Sequence, residues 1–301
     1  MKRSYFLFPF VAILLWAGNV AVSKLSAHTI DPSAITFYRL VLAVALMSLF
    51  TLVPAWRNRA AIVPQLPKLA VLGFLAMALF QSLSYEAAKT TTATNMSIIT
   101  ALVPLMTMVA STLLLGEAPT GGMVGGGALS LVGVVYLITQ GNPAQLLANG
   151  AHIGDLLMIF AALAYALYGV LLKRWHVGLP SWQSTYLQAI FALLFMLPML
   201  LRLPASEALP TRASLPLILY AGVLASVVLP FLWMQGVEHL GPNRCALFMN
   251  VLPIATAVIA IAMLGETLHL YHLLGGGTAL VGVIVAQRFR RPVQEPMEAL
   301  E

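Results

Sequence analysis

The residue types that could form a reactive or metal-binding centre are few and scattered in this 301-residue chain. His269 and His272 have the i, i+3 spacing of helical metal ligands, but no third ligand lies near them in the sequence. The single cysteine, Cys245, excludes an intrachain disulfide and any multi-cysteine metal site. Glycine clusters at 121–127 and 275–277 lack the Lys-Ser/Thr of a P-loop. We therefore expect no metal, no cofactor and no enzymatic centre.

Recognition of a small molecule is the chemistry that the polar residues favour. They lie inside the long apolar runs that are described below as membrane helices, and polar groups inside a bilayer are costly unless they are paired or face a cavity. Ten candidates for a substrate cavity lie near the middle of apolar runs: Trp16, Asn19, Gln81, Ser97, Thr100, Tyr165, Tyr168, Gln188, Trp233 and Asn250. For the two hydroxyl residues, a hydrogen bond back to the preceding turn is the simpler alternative. Interhelical hydrogen bonds compete with a cavity role for the four amides. The mid-depth aromatics indicate either an aromatic-walled pocket or ordinary helix packing.

Arg39 is the one charged residue well inside a predicted membrane helix. Its guanidinium could bind a substrate carboxylate through two parallel hydrogen bonds. It could equally extend outward to the interface, or pair with Asp31 or Glu86. The residues alone leave these three possibilities open.

Composition identifies the environment of these side chains. Hydrophobic residues make up 60% of the chain and charged residues 9%, with a mean hydropathy of +0.91, whereas soluble domains carry about 25% charged residues. This excludes a disordered chain, a secreted scaffold and an ordinary cytosolic enzyme. The basic residues behind the net charge of +6 lie between long apolar runs, which favours the inner membrane surface over nucleic acid.

Ten apolar runs are long enough to cross a bilayer, whose core of about 30 Å requires about 20 residues per helix. They are Ser4–Leu25, Ser33–Pro54, Lys68–Ala88, Thr92–Leu115, Met123–Thr139, Ile153–Lys173, Ser181–Leu201, Leu215–Glu238, Asn243–Leu264 and His272–Arg288. Lys2 and Arg3 give the first run the look of a signal peptide. The first run has a counterpart in the second half of the chain, which favours a structural helix over a signal peptide. We therefore predict an all-α integral membrane protein with ten transmembrane helices.

The two halves of the chain repeat one another at a constant shift of 149 residues. This shift superimposes Trp16 on Tyr165, Pro104 on Pro253, Leu115-Gly116-Glu117 on Leu264-Gly265-Glu266, and Leu131–Val134 on Leu280–Val283. The sequence therefore predicts two five-helix repeats, residues 1–140 and 152–289. A loop of residues 141–151 joins them, and a cytoplasmic tail of residues 290–301 follows.

Five crossings carry the chain to the other side of the membrane, so the second repeat must have the inverted topology. With a cytoplasmic amino terminus, eleven Lys and Arg residues flank the inner helix ends and four flank the outer ends. We therefore expect a bacterial-type inner-membrane protein with both termini in the cytoplasm. Inverted repeats are a recurring plan of secondary transporters, whose substrate site lies at the midplane between the repeats.

These segments resemble a known family, the EamA-type ten-helix carriers of the drug/metabolite transporter superfamily. The resemblance is carried by Leu14–Asn19 through Lys24, by Phe37-Tyr38-Arg39, and by the two segments from Pro104 and Pro253 to their Leu-Gly-Glu ends, each followed by a glycine-rich helix. It covers essentially the whole chain, and among members it points to bacterial exporters of aromatic and other neutral amino acids. Because the family has arginine at the position of Arg39 across many substrates, it implies a structural or gating role there. Gln188 stands at the equivalent place in the second repeat, so the two halves need not bind alike.

Four further residues are candidates for gating or structural roles. Pro104 and Pro253 lie in the middle of their predicted helices, where each removes a backbone donor and forms either a hinge or a static kink. Glu117 and Glu266 end their helices just outside the apolar core, where we expect them to cap the amides of a neighbouring helix. The glycine clusters are expected to permit close helix contact.

The sequence thus predicts a secondary transporter that exports amino acids by alternating access. We expect a facilitator, because no Asp, Glu or His lies near the middle of a predicted helix. Glu86, Asp155 and Glu238 are the carboxylates that would reach the cavity if the helix boundaries shifted by one turn. The alternatives are an exporter of another metabolite or drug-like compound, with or without proton coupling, a channel, and an integral membrane enzyme. The expected partners are a small-molecule substrate and the lipid bilayer, with no nucleic acid, in a monomer or homodimer.

Overall fold

A computed structural model describes residues 3–118, 120–142, 152–240, 245 and 248–288 of the chain. Every element in these residues is helical, and ten successive membrane helices are traced in them: α1 Leu7–Ser26, α2 Pro32–Arg57, α3 Arg59–Ala87, α4 Ala93–Leu115, α5 Gly121–Ile138, α6 Ile153–Trp175, α7 Ser181–Leu201, α8 Leu215–Leu240, α9 Met249–Leu264, and α10 comprising His272–Gly276 and Gly277–Arg288. Of these, α1 to α8 are each long and apolar enough to span a bilayer. The prediction of a ten-helix, all-α membrane protein is confirmed.

Most helix boundaries lie within a few residues of the predicted runs, and α7 begins and ends at the predicted residues. Helix α3 is the exception, because it begins at Arg59, nine residues before the predicted Lys68. The start of α9 predicted at Asn243 lies outside the described residues. So do most of the predicted connecting loop 141–151 and the whole of the predicted tail 290–301.

The recurring Leu-Gly-Glu segments end α4 and α9 for a backbone reason. Gly116 and Gly265 are the residues that follow these helices, and their φ angles of +68° and +66° lie in the left-handed region. Glycine adopts this conformation without the steric cost of a Cβ atom, which makes it the usual residue after a helix end. The repeated glycine therefore stops both helices at the same place and directs the following glutamate out of the helix.

Helix packing relates the two repeats through a pseudo-two-fold axis. Helices α2 and α7 pack against each other, as do α5 and α10. Each remaining major contact has a counterpart: α1 packs on α8 and α9, and α6 packs on α3 and α4. Since five crossings separate the repeats, this axis lies in the membrane plane, which is the predicted inverted arrangement.

The α5–α10 contact depends on glycines at equivalent positions of the two repeats. A Cβ atom on Gly133 would lie 2.4 Å from the backbone nitrogen of Ala279 and 2.6 Å from the carbonyl oxygen of Gly275. A Cβ atom on Gly126 would lie 2.4 Å from the carbonyl oxygen of Gly282. The absence of side chains lets the two backbones touch, so the structure agrees with a packing role for these glycines.

Pro104 and Pro253 each lie just after a break in their membrane helix. Helix α4 is broken into Ala93–Thr100 and Val103–Leu115, and Pro104 lies in the first turn of the second segment. In α9 the 3₁₀ turn Met249–Val251 precedes Leu252–Leu264, and Pro253 takes the same first-turn place. Proline is tolerated there because the first-turn amides have no partner within the helix. A gating role for the two breaks stays a prediction.

Helices α3 and α8 each contain a π-helical segment, at Phe74–Leu79 and Tyr220–Val228. The two segments end at equivalent positions of the repeats, since Leu79 and Val228 differ by the repeat shift of 149 residues. Wide helical turns of this type redirect side chains and occur frequently at functional sites. Both segments face the cavity described below.

Candidate functional site

A cavity of about 550 Å³ lies between the two repeats. It is lined by α1, α2 and α3 from the first repeat and by the equivalent helices α6, α7 and α8 from the second. The cavity extends from Arg39 to the loop Val177–Leu179 and the first residue of α7, Ser181. Gly178 and Ser181 are exposed, so the cavity opens to the surface at this end.

Seven of the ten predicted cavity residues line this space: Trp16, Asn19, Gln81, Tyr165, Tyr168, Gln188 and Trp233. Three of the aromatic members, Trp16, Tyr165 and Tyr168, form a wall together with Phe80, and Tyr165 lies at its centre. Its ring centroid lies 6.3 Å from that of Trp16, 4.9 Å from that of Phe80 and 5.4 Å from that of Tyr168. This wall offers a large apolar surface to a bound side chain. A role of the seven lining residues in substrate binding stays a prediction.

Arg39 lines the same cavity and is buried. Its Nη1 donates to Gln81 Oε1 at 2.7 Å and to Tyr85 OH at 3.1 Å. Its Nε and Nη2 both donate to Ser226 Oγ, at 3.1 Å and 2.8 Å. The expected alternatives of pairing with Asp31 or Glu86 are not realised: Asp31 caps α2 by accepting from the Ser33 amide, and Glu86 pairs with Lys89. The guanidinium therefore connects α2 with α3 and with α8 of the other repeat.

Gln188 occupies the place on α7 that Arg39 occupies on α2. At each of the two positions a glycine of a neighbouring helix packs against the backbone, and the sequence analysis missed both glycines. A Cβ atom on Gly73 of α3 would lie 2.3 Å from the carbonyl oxygen of Gln188, and one on Gly222 of α8 would lie 3.2 Å from that of Arg39. Gly73 and Gly222 are themselves separated by the repeat shift, which is the signal that could have found them.

Three predicted cavity residues lie elsewhere. Ser97 Oγ donates to the Thr94 carbonyl at 2.8 Å, and Thr100 Oγ1 donates to the Met96 carbonyl at 2.8 Å. These are the bonds to the preceding turn that the sequence left open as the simpler alternative. Asn250 lies in the 3₁₀ turn at the start of α9 and is not among the residues lining the cavity.

The two repeated glutamates have different contacts. Glu266 accepts hydrogen bonds from the amides of Ala93 and Thr94 at 2.7 Å and 3.2 Å, so it caps the start of α4 as expected. Glu117 forms an ion pair with Lys173 at the end of α6. The positions that the repeat shift makes equivalent to Ala93 and Thr94 are residues 242 and 243, which lie outside the described part of the chain.

Comparison with known proteins agrees with this architecture. The model of the EamA-like transporter family matches residues 3–139 and 152–287. The uncharacterized transporter YyaM of Bacillus subtilis is 26% identical over 267 residues, covering 88% of this chain and 87% of YyaM. A Streptantibioticus cattleyicolor protein named a probable terminal-alkyne amino-acid exporter is 22% identical over 279 residues, covering 92% of this chain and 91% of that protein.

A solved crystal structure shares the fold, with a TM-score of 0.60 at 20% identity over 95% of this chain and 98% of that one. The repeated family match falls on the two halves that enclose the cavity. Because the family model matches both halves and most of the chain, the chain is a member of the EamA-like transporter family.

Proposed function

We propose that this transporter exports small neutral amino acids, aromatic ones included, from the cytoplasm. The observation that carries the proposal is the cavity of about 550 Å³ between the repeats, with an aromatic wall and a buried guanidinium. Its volume suits a single small molecule. The name of the Streptantibioticus relative, a probable amino-acid exporter, supports the same substrate class. A different metabolite or a drug-like compound is the alternative.

Alternating access follows from the symmetry of the fold. The cavity opens beside Gly178 and Ser181, and the hydrogen bonds between Arg39 and Ser226 join α2 to α8 in its lining. The positive-inside rule assigns the open end to the cytoplasm, where an export substrate would enter. Because the repeats are inverted, exchanging their conformations would open the opposite end at similar energy.

Counterflow in proteoliposomes tests the proposal. Vesicles loaded with an unlabelled amino acid should accumulate the labelled compound transiently, because a carrier exchanges one bound substrate for another. A panel of neutral amino acids identifies the preferred side chain. A channel would equilibrate the label without a transient excess, and failure of every amino acid to exchange would refute the proposed substrate class.

We further propose that the carrier is a facilitator. Among the described residues that line the cavity there is no Asp, Glu or His that could exchange a proton with the occluded site. Asp155 is buried in the first turn of α6, where it accepts hydrogen bonds from Thr91 and Asn95. Glu86 pairs with Lys89, and Glu238 accepts a hydrogen bond from Gln235.

An imposed pH gradient should therefore leave the final distribution of substrate unchanged. The measurement is amino-acid flux in proteoliposomes with and without the gradient, with the membrane potential held at zero. The Asp155→Asn variant is the matched control, because it removes the buried carboxylate while preserving its shape. Accumulation above equilibrium that is driven by the gradient and lost in this variant would contradict the facilitator mechanism.

A further inference from the structure

The connection between α3 and α4 is held at its start by a lysine from α1. Lys24, in the last turn of α1, donates from Nζ to the carbonyl oxygens of Ala88 and Thr91, at 2.8 Å and 2.6 Å. These carbonyls lie just past the carboxyl end of α3, where a helix carries a partial negative charge and has acceptors without partners. The lysine charge therefore fastens α1 to the end of α3.

Two carboxylates hold the other side of the same connection. Glu266, which follows α9, caps the amides that begin α4 and also accepts from the hydroxyl of Thr94 at 2.9 Å. Its charge attracts that of the lysine from α1. Asp155, in the first turn of α6, accepts from the hydroxyl of Thr91 and, at 3.2 Å, from the amide group of Asn95. The connection is thus fixed by charged groups from α1, α6 and the end of α9.

These three residues, Lys24, Asp155 and Glu266, are called the outer clamp. They lie at the end of the bundle opposite the cavity opening, because α6 carries Asp155 in its first turn and ends just before Gly178. The 23 residues of α6 extend about 35 Å, which is the thickness of a bilayer core. Since the opening is assigned to the cytoplasm, the clamp lies on the outer side.

A buried apolar layer separates the cavity from the outer clamp. It includes Val20, Ala87, Ala88, Ala93, Met96, Met158, Ala161 and Ala162. Along α1 this layer lies between Asn19 of the cavity lining and Lys24, and along α6 it lies between Asp155 and Tyr165 of the cavity lining. The packed layer therefore closes the cavity on the side of the clamp.

The repeat shift gives the clamp a counterpart near the cavity opening, where the same residue types make different contacts. Lys173 and Glu117 are the equivalents of the lysine and the glutamate of the outer clamp. They pair with each other, and their side chains are 59% and 45% exposed. Among the described residues Lys173 donates to neither the Val237 nor the Leu240 carbonyl, which are equivalent to those that the outer lysine holds. The counterpart is therefore released while the outer clamp is engaged.

Helix packing shows the same asymmetry. Helix α1 packs on the end of α3 and on the first segment of α4. No comparable contact joins α6 to α8 or α9 in the part of the chain that the structure describes. The helices of the outer clamp are thus drawn together, whereas their equivalents at the cavity opening are not.

We infer that the outer clamp is the outer gate of the carrier and that Lys173 and Glu117 form its inner gate. When the carrier opens outward, Lys24 leaves the α3–α4 connection and pairs with Glu266. Lys173 then leaves Glu117 and binds the carbonyls at the end of α8, which closes the cytoplasmic side. This inference rests on the proposed function, because it assumes alternating access between the two ends.

The two gates are not equally strong. The position equivalent to Asp155 is Phe6, so the inner gate lacks the second carboxylate. The position equivalent to Ala93 is Pro242, which has no amide hydrogen for a glutamate to accept. We therefore expect the state that is open to the cytoplasm to predominate without substrate.

Access to a buried thiol from outside tests the two gates. Ser84 is buried and lines a void of about 20 Å³ on the clamp side of the cavity. Ser84→Cys in the Cys245→Ala background places the single thiol of the chain there with a change of one atom. A membrane-impermeant cationic thiol reagent is added to intact cells, which it reaches only from outside. The rate of labelling then reports how often the outer gate opens.

The two lysines are matched controls for each other, because their removal should have opposite effects. Lys24→Met should raise the labelling rate about tenfold or more, since two hydrogen bonds from a charged donor no longer hold the outer gate closed. Lys173→Met should lower the rate several-fold, because the inner gate no longer stabilises the outward-open state. Glu266→Gln should act like Lys24→Met, and Glu117→Gln should act like Lys173→Met.

The glutamate variants decide the inference if a lysine variant does not fold. An unchanged labelling rate in the outer-gate variants, or a change in the same direction at both gates, would overturn it. The readout involves no amino acid, so opposite shifts support the gates even if every amino acid fails to exchange. If the gates fail while counterflow persists, the proposed substrate class still stands.

Discussion

Replacing Gly133 by valine is expected to prevent recovery of folded protein. The new Cβ atom would lie 2.4 Å from the Ala279 nitrogen and 2.6 Å from the Gly275 carbonyl oxygen. Both are backbone atoms, so no side-chain rotation relieves the overlap and α5 must separate from α10. Overpacking typically costs about 1–3 kcal/mol and occasionally more, and a clash with two backbone atoms belongs to the costly end of this range. The measurement is the yield of monodisperse protein after detergent extraction, together with its thermal unfolding temperature.

Gly125→Val is the matched control on the same helix. No atom lies within 4 Å of the position that a Cβ atom on Gly125 would take, so valine fits there without displacing a neighbour. We expect this variant to give the yield of the unaltered protein. Normal yield and unfolding temperature for Gly133→Val would show that the α5–α10 contact is looser than described.

The Tyr165→Ala variant is expected to lose at least about tenfold in apparent substrate affinity while still folding. Its ring contacts Trp16, Phe80 and Tyr168, and such aromatic pairs are each worth about 0.5–1.5 kcal/mol beyond the area they bury. Truncation removes the centre of the cavity wall and frees its three neighbours. Initial rates of counterflow over a range of substrate concentrations give the affinity, and Trp16→Ala and Trp233→Ala should show smaller losses in the same direction.

Ser97→Ala controls for a general effect of truncation in the membrane interior, because Ser97 is fully buried yet lies outside the cavity. It should transport at the unaltered rate. If Tyr165→Ala, Trp16→Ala and Trp233→Ala all transport normally at matched expression, the aromatic residues serve packing alone.

The sequence was sufficient for the helices and their symmetry because both follow from long-range regularities. Bilayer thickness requires apolar runs of a narrow length, so a run such as Ser181–Leu201 could be delimited to the residue. A single shift of 149 residues relates the repeats without a gap, and an odd number of crossings then inverts one of them. The glutamate cap was predictable as well, since Glu266 lies where charge is tolerated and helix amides need a partner.

Local departures from the α-helix could not be predicted. Within a uniformly apolar run no polar stripe records the helical period, so the π-helical segments Phe74–Leu79 and Tyr220–Val228 left no trace in the pattern. The break before Pro104 left no trace in the pattern for the same reason. The partners of Arg39 depend on tertiary packing, since Ser226 is 187 residues away in the chain.

The central claim is that substrate passes through the cavity between the repeats. The chain has one cysteine, so Cys245→Ala gives a background in which Thr185→Cys places a single thiol in the cavity lining. Ala205→Cys places one on an exposed short helix between α7 and α8 as a control.

The decisive measurement is amino-acid counterflow before and after a membrane-impermeant cationic thiol reagent is applied from both sides. We predict that modification stops counterflow at Thr185→Cys, that excess substrate protects it, and that modified Ala205→Cys transports normally. Unchanged counterflow after complete modification of Thr185→Cys would contradict the account.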